Sequence, residues 1–148
     1  MKVLRGTASD IEPWMELVRR VSWNFPGLET EESIAEHAQT VLGFMSKRQA
    51  LCIKCGSRIA GVILFSRSHN MICCLAVAPE YRQRGIGSLL LKEALDELDR
   101  SKEISVSTFR ENDEKGAAPR ALYKKFGFQE AELVEEFGYP NQRFILYP

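Results

Sequence analysis

Leu75-Ala-Val-Ala-Pro-Glu-Tyr-Arg-Gln-Arg-Gly-Ile-Gly-Ser-Leu-Leu-Leu-Lys-Glu-Ala-Leu-Asp-Glu-Leu98 is the stretch whose reading decides the fold. Met71 to Val77 is apolar and reads as a buried strand. Pro79 stops it, and Glu80 to Arg84 makes a polar, basic turn. From Gly85 a helix is expected to about Arg100, with Leu90, Leu91, Ala94, Leu95 and Leu98 on one face. The first turn of a helix carries N–H groups without internal partners and the positive end of the macrodipole. Gly85 and Gly87 lack a Cβ, so an anion can approach the backbone closely. Arg82 and Arg84 add charge at the end where a helix ordinarily disfavours it, which makes sense beside a phosphate. A surface turn using glycines for chain reversal is the plainer reading of Gly-x-Gly alone.

Composition narrows the partners. The chain has 148 residues, enough for one domain with its own core. Lys plus Arg and Asp plus Glu each total 20, so a net charge of zero gives no electrostatic case for nucleic acid or an anionic membrane. No apolar run approaches the roughly 18 residues of a spanning helix, and Met1 to Gly6 lacks the apolar region of a secretory signal. Cys52 and Cys55 have metal-like spacing but lie in a strand, where positions three apart face opposite ways. Cys73 and Cys74 diverge likewise, and no second pair supports zinc. Reduced cysteines, no metal and a cytoplasmic location are expected.

Working outward, Lys2 to Arg5 reads as a short strand, followed by a helix capped by Ser9 or Asp10 with Pro13 in its first turn. Thr30 and Ser33 open a second helix to about Lys47. Ala50 to Lys54, Ile59 to Ser66 and the strand from Met71 form an antiparallel meander. Ile104 to Phe109 alternates as a further strand, and Ala117 to Phe126 is a short helix stopped by Gly127. Glu132 to Phe137 and Phe144 to Tyr147 close as a hairpin across Gly138 to Asn141. This order predicts a single α/β domain over 1–148, a mixed, mostly antiparallel sheet flanked by about four helices.

Arg82-Gln83-Arg84-Gly85-Ile86-Gly87 after Leu75 to Tyr81 resembles the acetyl-coenzyme-A signature of the GNAT N-acetyltransferase superfamily. The Rossmann fingerprint is not met, because Leu90 stands where its third glycine would be. Ala121-Leu-Tyr-Lys-Lys-Phe-Gly-Phe128 resembles the second block of the same family. The resemblance implies acetyl-CoA as cosubstrate and direct transfer of acetyl to an amine in a ternary complex. It implies that the pantetheine arm pairs with the backbone of Leu75, Ala76 and Val77, and that the amides from Arg84 to Ser88 hold the pyrophosphate. The N–H of Ala76 or Val77 would polarise the thioester carbonyl, and Tyr123 would be the general acid to the sulfur. Read without the resemblance, Tyr123 is a half-buried tyrosine packing a helix. Relatives place an Asn and an Ala where this chain has Gly116 and Pro119; Asn112, further upstream, is a candidate coenzyme contact or a turn former.

No base is evident in the strand before the signature, which offers Met71 and Cys73. His69, Glu135, Glu136 or a water chain remain as candidates. A small-molecule or peptide amine is the expected acceptor, with small amine, antibiotic, peptide N-terminus and protein lysine all open, and a homodimer is an open expectation. Trp23, Phe25 and Glu29 to Glu32 either line the amine pocket or merely connect two helices. A non-catalytic coenzyme-A-binding domain is the alternative function.

Overall fold

A computed structural model describes all residues 1–148. In chain order the elements are β1 (Val3–Arg5), α1 (Ile11–Val21), α2 (Glu31–Ser46), β2 (Ala50–Cys55), β3 (Arg58–Ser66) and β4 (Met71–Val77). Then follow α3 (Ile86–Asp96), β5 (Ile104–Phe109), α4 (Ala117–Lys125), β6 (Gln129–Glu136) and β7 (Tyr139–Leu146). The strands form one sheet in the order β1-β2-β3-β4-β5-β7-β6, and every pairing is antiparallel except β4 with β5. The expected single α/β domain with a mostly antiparallel sheet and four helices is therefore what the chain forms.

Alternation along the strands divides the core in two. Trp14, Leu17 and Val18 of α1 and Val41 of α2 pack on Cys52, Val62 and Leu64 on one face. On the other face Ile86, Leu90, Leu91 and Leu95 of α3 and Tyr123 of α4 meet Ile53, Ile63, Phe65 and Phe144. Thr30 and Ser33 cap α2 reciprocally, as their spacing predicts. Asp10 does not cap α1 through its side chain: it closes a 3₁₀ turn, Ala8–Asp10, and its carboxylate accepts from Thr7 N–H at 2.9 Å. No helix is long and apolar enough to cross a membrane.

Two boundaries differ from expectation for local reasons. Helix α3 stops at Asp96 rather than near Arg100, because Glu97 leaves the helical conformation and its carboxylate ties to Arg5 and Arg67. The closing hairpin turns at Phe137-Gly138 rather than across Gly138 to Asn141. Both turn residues have positive φ, 54° and 71°, as a two-residue turn between twisted strands requires, and this lengthens both strands.

Candidate functional site

The site begins with amides that have nothing to bond. Leu89 N–H to Gly85 O, at 3.0 Å, is the first backbone bond of α3. The six preceding amides, from Gln83 to Ser88, find no acceptor in the protein, whether backbone or side chain. Gly85 is the N-cap with φ +80° and no capping side chain, and no acidic residue sits in the first turn. Gln83 is also left-handed, φ +63°, so the loop coils to aim its donors outward. Arg82 and Arg84 are exposed and unpaired with any carboxylate; Arg84 lies 5.4 Å over the Tyr81 ring. Ile86, by contrast, buries its side chain in the core, so only its N–H faces the cradle.

Gly61 of β3 sets the seating of this turn, and the sequence reading overlooked it. A Cβ there would lie 2.6 Å from Ile86 Cγ2 and 3.0 Å from Leu90 Cδ1, so glycine is what lets the helix start lie against the sheet. Its signal was available: an isolated glycine inside an apolar strand marks close approach.

Beside the cradle the sheet splits. β4 and β5 pair only at Met71↔Ser105, after which the two parallel strands diverge. A bulge accounts for the split: Phe65 pairs Ile72 and Leu64 pairs Cys74, so Cys73 is the extra residue and β4 bends there. The bond from Ala78 N–H to Ala60 O, at 2.8 Å, fixes the phase of the remainder. Ala76 and Ala78 turn their backbone groups to β3; Leu75 and Val77 turn theirs to the gap. Of the two amides expected to polarise a carbonyl, Val77 faces the gap and Ala76 does not.

Tyr123 projects from α4 into the core and is 4 % exposed, edge-on to Phe128 at 5.6 Å and tilted to Phe144 at 6.3 Å. Its hydroxyl has no partner among the protein's hydrogen bonds. Burial first, and the neighbouring Cys74 second, push the phenol well above its ordinary value, so it stays protonated. Arg120, also unforeseen, holds this helix: 5 % exposed, it donates to Phe109 O (2.9 Å), Gln142 Oε1 (2.8 Å) and Glu130 Oε2 (2.6 Å). The departure at Gly116 has a steric cause. A Cβ there would stand 2.9 Å from Phe109 Cβ and 3.3 Å from Arg110 O, so an Asn does not fit as the chain lies. Asn112 is exposed in the loop after β5 and makes no side-chain hydrogen bond.

Beside the α1–α2 connection a cavity of about 310 Å³ is lined by Trp23, Phe25, Pro26 and Leu28, together with Ser22, Glu29, Lys115 and Tyr139. The connection between α1 and α2 thus does form a pocket wall, although Glu31 and Glu32 are not part of it. His69 lies elsewhere. It sits in the β3–β4 turn, its Nδ1 3.2 Å from the hydroxyls of Ser66 and Ser68, at the far end of β4, whose length from Met71 to Val77 is about 20 Å. Burial pushes the Cys52 thiol up to about 11 and Cys74 up to about 12, leaving both protonated.

The acetyltransferase (GNAT) domain family model matches residues 34–130, and the chain belongs to that family. Among solved structures it is similar to a GNAT-family acetyltransferase from Bacillus cereus ATCC 10987, with TM-score 0.75 and 18 % identity over 99 % of this chain and 96 % of that one. An N-acetyltransferase from Staphylococcus aureus Mu50 gives TM-score 0.78 and 16 % identity, over 99 % and 100 % of the two chains. The PaiA N-acetyltransferase from Thermoplasma acidophilum, solved in complex with coenzyme A, gives TM-score 0.69 and 20 % identity over 96 % of each. These identities carry the fold. No curated protein matches the sequence.

Proposed function

We propose that the protein is an acetyl-CoA-dependent N-acetyltransferase that passes acetyl directly to an amine in a ternary complex. The observation that carries the reading is the run of six unpaired amides from Gln83 to Ser88, next to the unpaired edge of β4. Ile86, Gly87 and Ser88 are buried or half-buried, where backbone donors ordinarily find acceptors, and the exposed Gln83, Arg84 and Gly85 precede them at the positive end of the helix. A diphosphate supplies the acceptors and the charge, and the edge of Leu75 and Val77 accommodates an amide-bearing arm as an added strand. The residues present therefore fit coenzyme A, which when bound supplies an acetyl group on a thioester.

The chain's own contributions follow from position. Arg84 to Ser88 hold the diphosphate by main-chain N–H, with Arg82 and Arg84 adding charge. Val77 N–H stabilises negative charge developing on the carbonyl oxygen. Tyr123, kept neutral by burial, gives its proton to the departing sulfur. Cys52, Cys73 and Cys74 have raised thiol values and no cysteine has a His partner, which favours direct transfer over an acyl-cysteine route.

The test is titration calorimetry with coenzyme A, then thiol release from acetyl-CoA across a panel of primary amines. Saturable binding with turnover on at least one amine is expected, with ATP competing poorly. Binding without turnover on any acceptor would instead make this a coenzyme-A-binding domain, and no binding would remove the reading altogether.

A further inference from the structure

We propose that Glu136, on the edge strand furthest from the cradle, is the general base that takes the proton from the acceptor amine. This rests on the acetyltransferase reading above. In the sheet order β6 lies three strand spacings, about 14 Å, from β4. The tip of the hairpin leans to the α1–α2 connection. Phe137 at its tip lies against the α1–α2 connection, so close that a Cβ on Gly27 would be 3.3 Å from the Phe137 ring.

The register decides which of two adjacent glutamates faces the site. Glu136 stands opposite Tyr139, and opposed residues share a face of the sheet. Tyr139 lines the cavity beside the α1–α2 connection; Glu136, outside its wall, points to the same side of the sheet and Glu135 to the other. Accordingly Glu136 is half-buried and Glu135 exposed. Glu136 makes no ion pair, unlike Glu130 and Glu132 on the same strand. The Asn141 amide nitrogen stands 3.4 Å from its Oε1, but that amide is better satisfied turned over, donating to Thr108 O (3.3 Å) and Pro140 O (3.1 Å). The carboxylate then has no fixed donor of its own.

Its charge reaches the bulge where β4 opens. Desolvation of the Cys73 sulfur, with the Glu136 carboxylate second, pushes that thiol up to about 11. Other ionisable groups at the mouth are engaged: Asp113 accepts from the Tyr139 hydroxyl (2.6 Å) and Glu29 from Gly27 N–H (3.0 Å), while Lys115 is a cation lying over Tyr139. In the transfer, Glu136 takes one proton from the ammonium and releases it to water. The nitrogen–carbon bond forms and the carbon–sulfur bond breaks. Tyr123 gives its proton to the sulfur and recovers one from the second proton that the nitrogen loses, so one proton is released per turnover.

The experiment compares Glu136→Gln, Glu136→Asp and Glu135→Gln on the primary amine that the wild type acetylates fastest. For Glu136→Gln, kcat/KM is expected to fall about 10²-fold or more, within the range for a lost general base. Glu136→Asp should recover part of the loss, Glu135→Gln should stay near wild type, and coenzyme A affinity should be unchanged in all three. A second readout needs no donor or acceptor. In a Cys55→Ser background, Glu136→Gln should speed alkylation of Cys73 by iodoacetamide at pH 8.5, because removing the neighbouring charge raises the thiolate fraction. Activity of Glu136→Gln within threefold of wild type, equal loss in Glu135→Gln, lost coenzyme A binding, or unchanged Cys73 alkylation would each overturn the assignment. If the wild type binds coenzyme A but acetylates no amine, the acetyltransferase reading itself fails and the base falls with it.

Discussion

Tyr123 combines a core-packed ring with a hydroxyl that the fold leaves unbonded. Enclosed by Phe128 and Phe144 and left without an internal partner, its hydroxyl gains little from the fold. Tyr123→Phe should therefore leave the unfolding free energy and coenzyme A affinity near wild type while lowering kcat by about 10² or more; stopped-time thiol release and calorimetry check both halves. Asp10 is the opposite case, a residue whose charge serves stability. Burial would raise its carboxyl, but Lys54 Nζ at 2.7 Å and the Thr7 N–H and hydroxyl outweigh that and hold it below the ordinary range. A depressed folded value means the stabilisation is complete above the unfolded carboxyl value, about 3.9, and disappears as pH falls through the lower folded value. The stability gap between wild type and Asp10→Asn, from urea unfolding, should be flat above about pH 5 and narrow below pH 4.

At the scale of the element, the start of α3 and the bend of β4 make the site, and they differ in how far sequence betrays them. The cradle was legible: two glycines, two arginines and a leucine stripe each have a local meaning. Its strictest requirement is the left-handed Gly85, φ +80° with open space around it. Gly85→Val introduces backbone strain of about 1–2 kcal/mol and blocks the donors, so coenzyme A affinity should drop at least about tenfold, or about 1.4 kcal/mol. Gly87→Ala meets the flexible end of Leu122 at 3.3 Å and Val77 Cγ2 at an ordinary 3.9 Å, and its fold should be retained. Circular dichroism melts and calorimetry on the pair separate a binding loss from a folding loss. The bulge at Cys73 was not legible, because nothing in Met71-Ile-Cys-Cys-Leu marks an extra residue; pairing with β3 creates it. Nor was the hairpin turn, since Phe137 is a poor left-handed residue that the twist of β6 and β7 forces there.

Across the whole molecule, Arg120 is what couples the second helix layer to the divided sheet. It bridges β5 through the Phe109 carbonyl, β7 through Gln142 and β6 through Glu130, and lies 4.8 Å over Phe144. Arg120→Met keeps most of the volume but leaves the Phe109 carbonyl and Gln142 side chain without that donor, at about 1–3 kcal/mol for each buried group unmet. A lower urea midpoint with an unchanged slope should report this, together with a weaker Tyr123-dependent rate as α4 loosens.

What the sequence determined by itself is the glycine-led, uncapped start of α3 and the layered α/β plan, because helix caps, glycine dihedrals and apolar periodicity act within a few residues of one another. What only the tertiary structure decided is which strand edge opens, that Val77 rather than Ala76 faces the gap, and that Glu136 rather than Glu135 shares the Tyr139 face of the sheet. Those outcomes depend on register between strands distant in the chain, where a shift of one residue turns every donor and side chain to the opposite side.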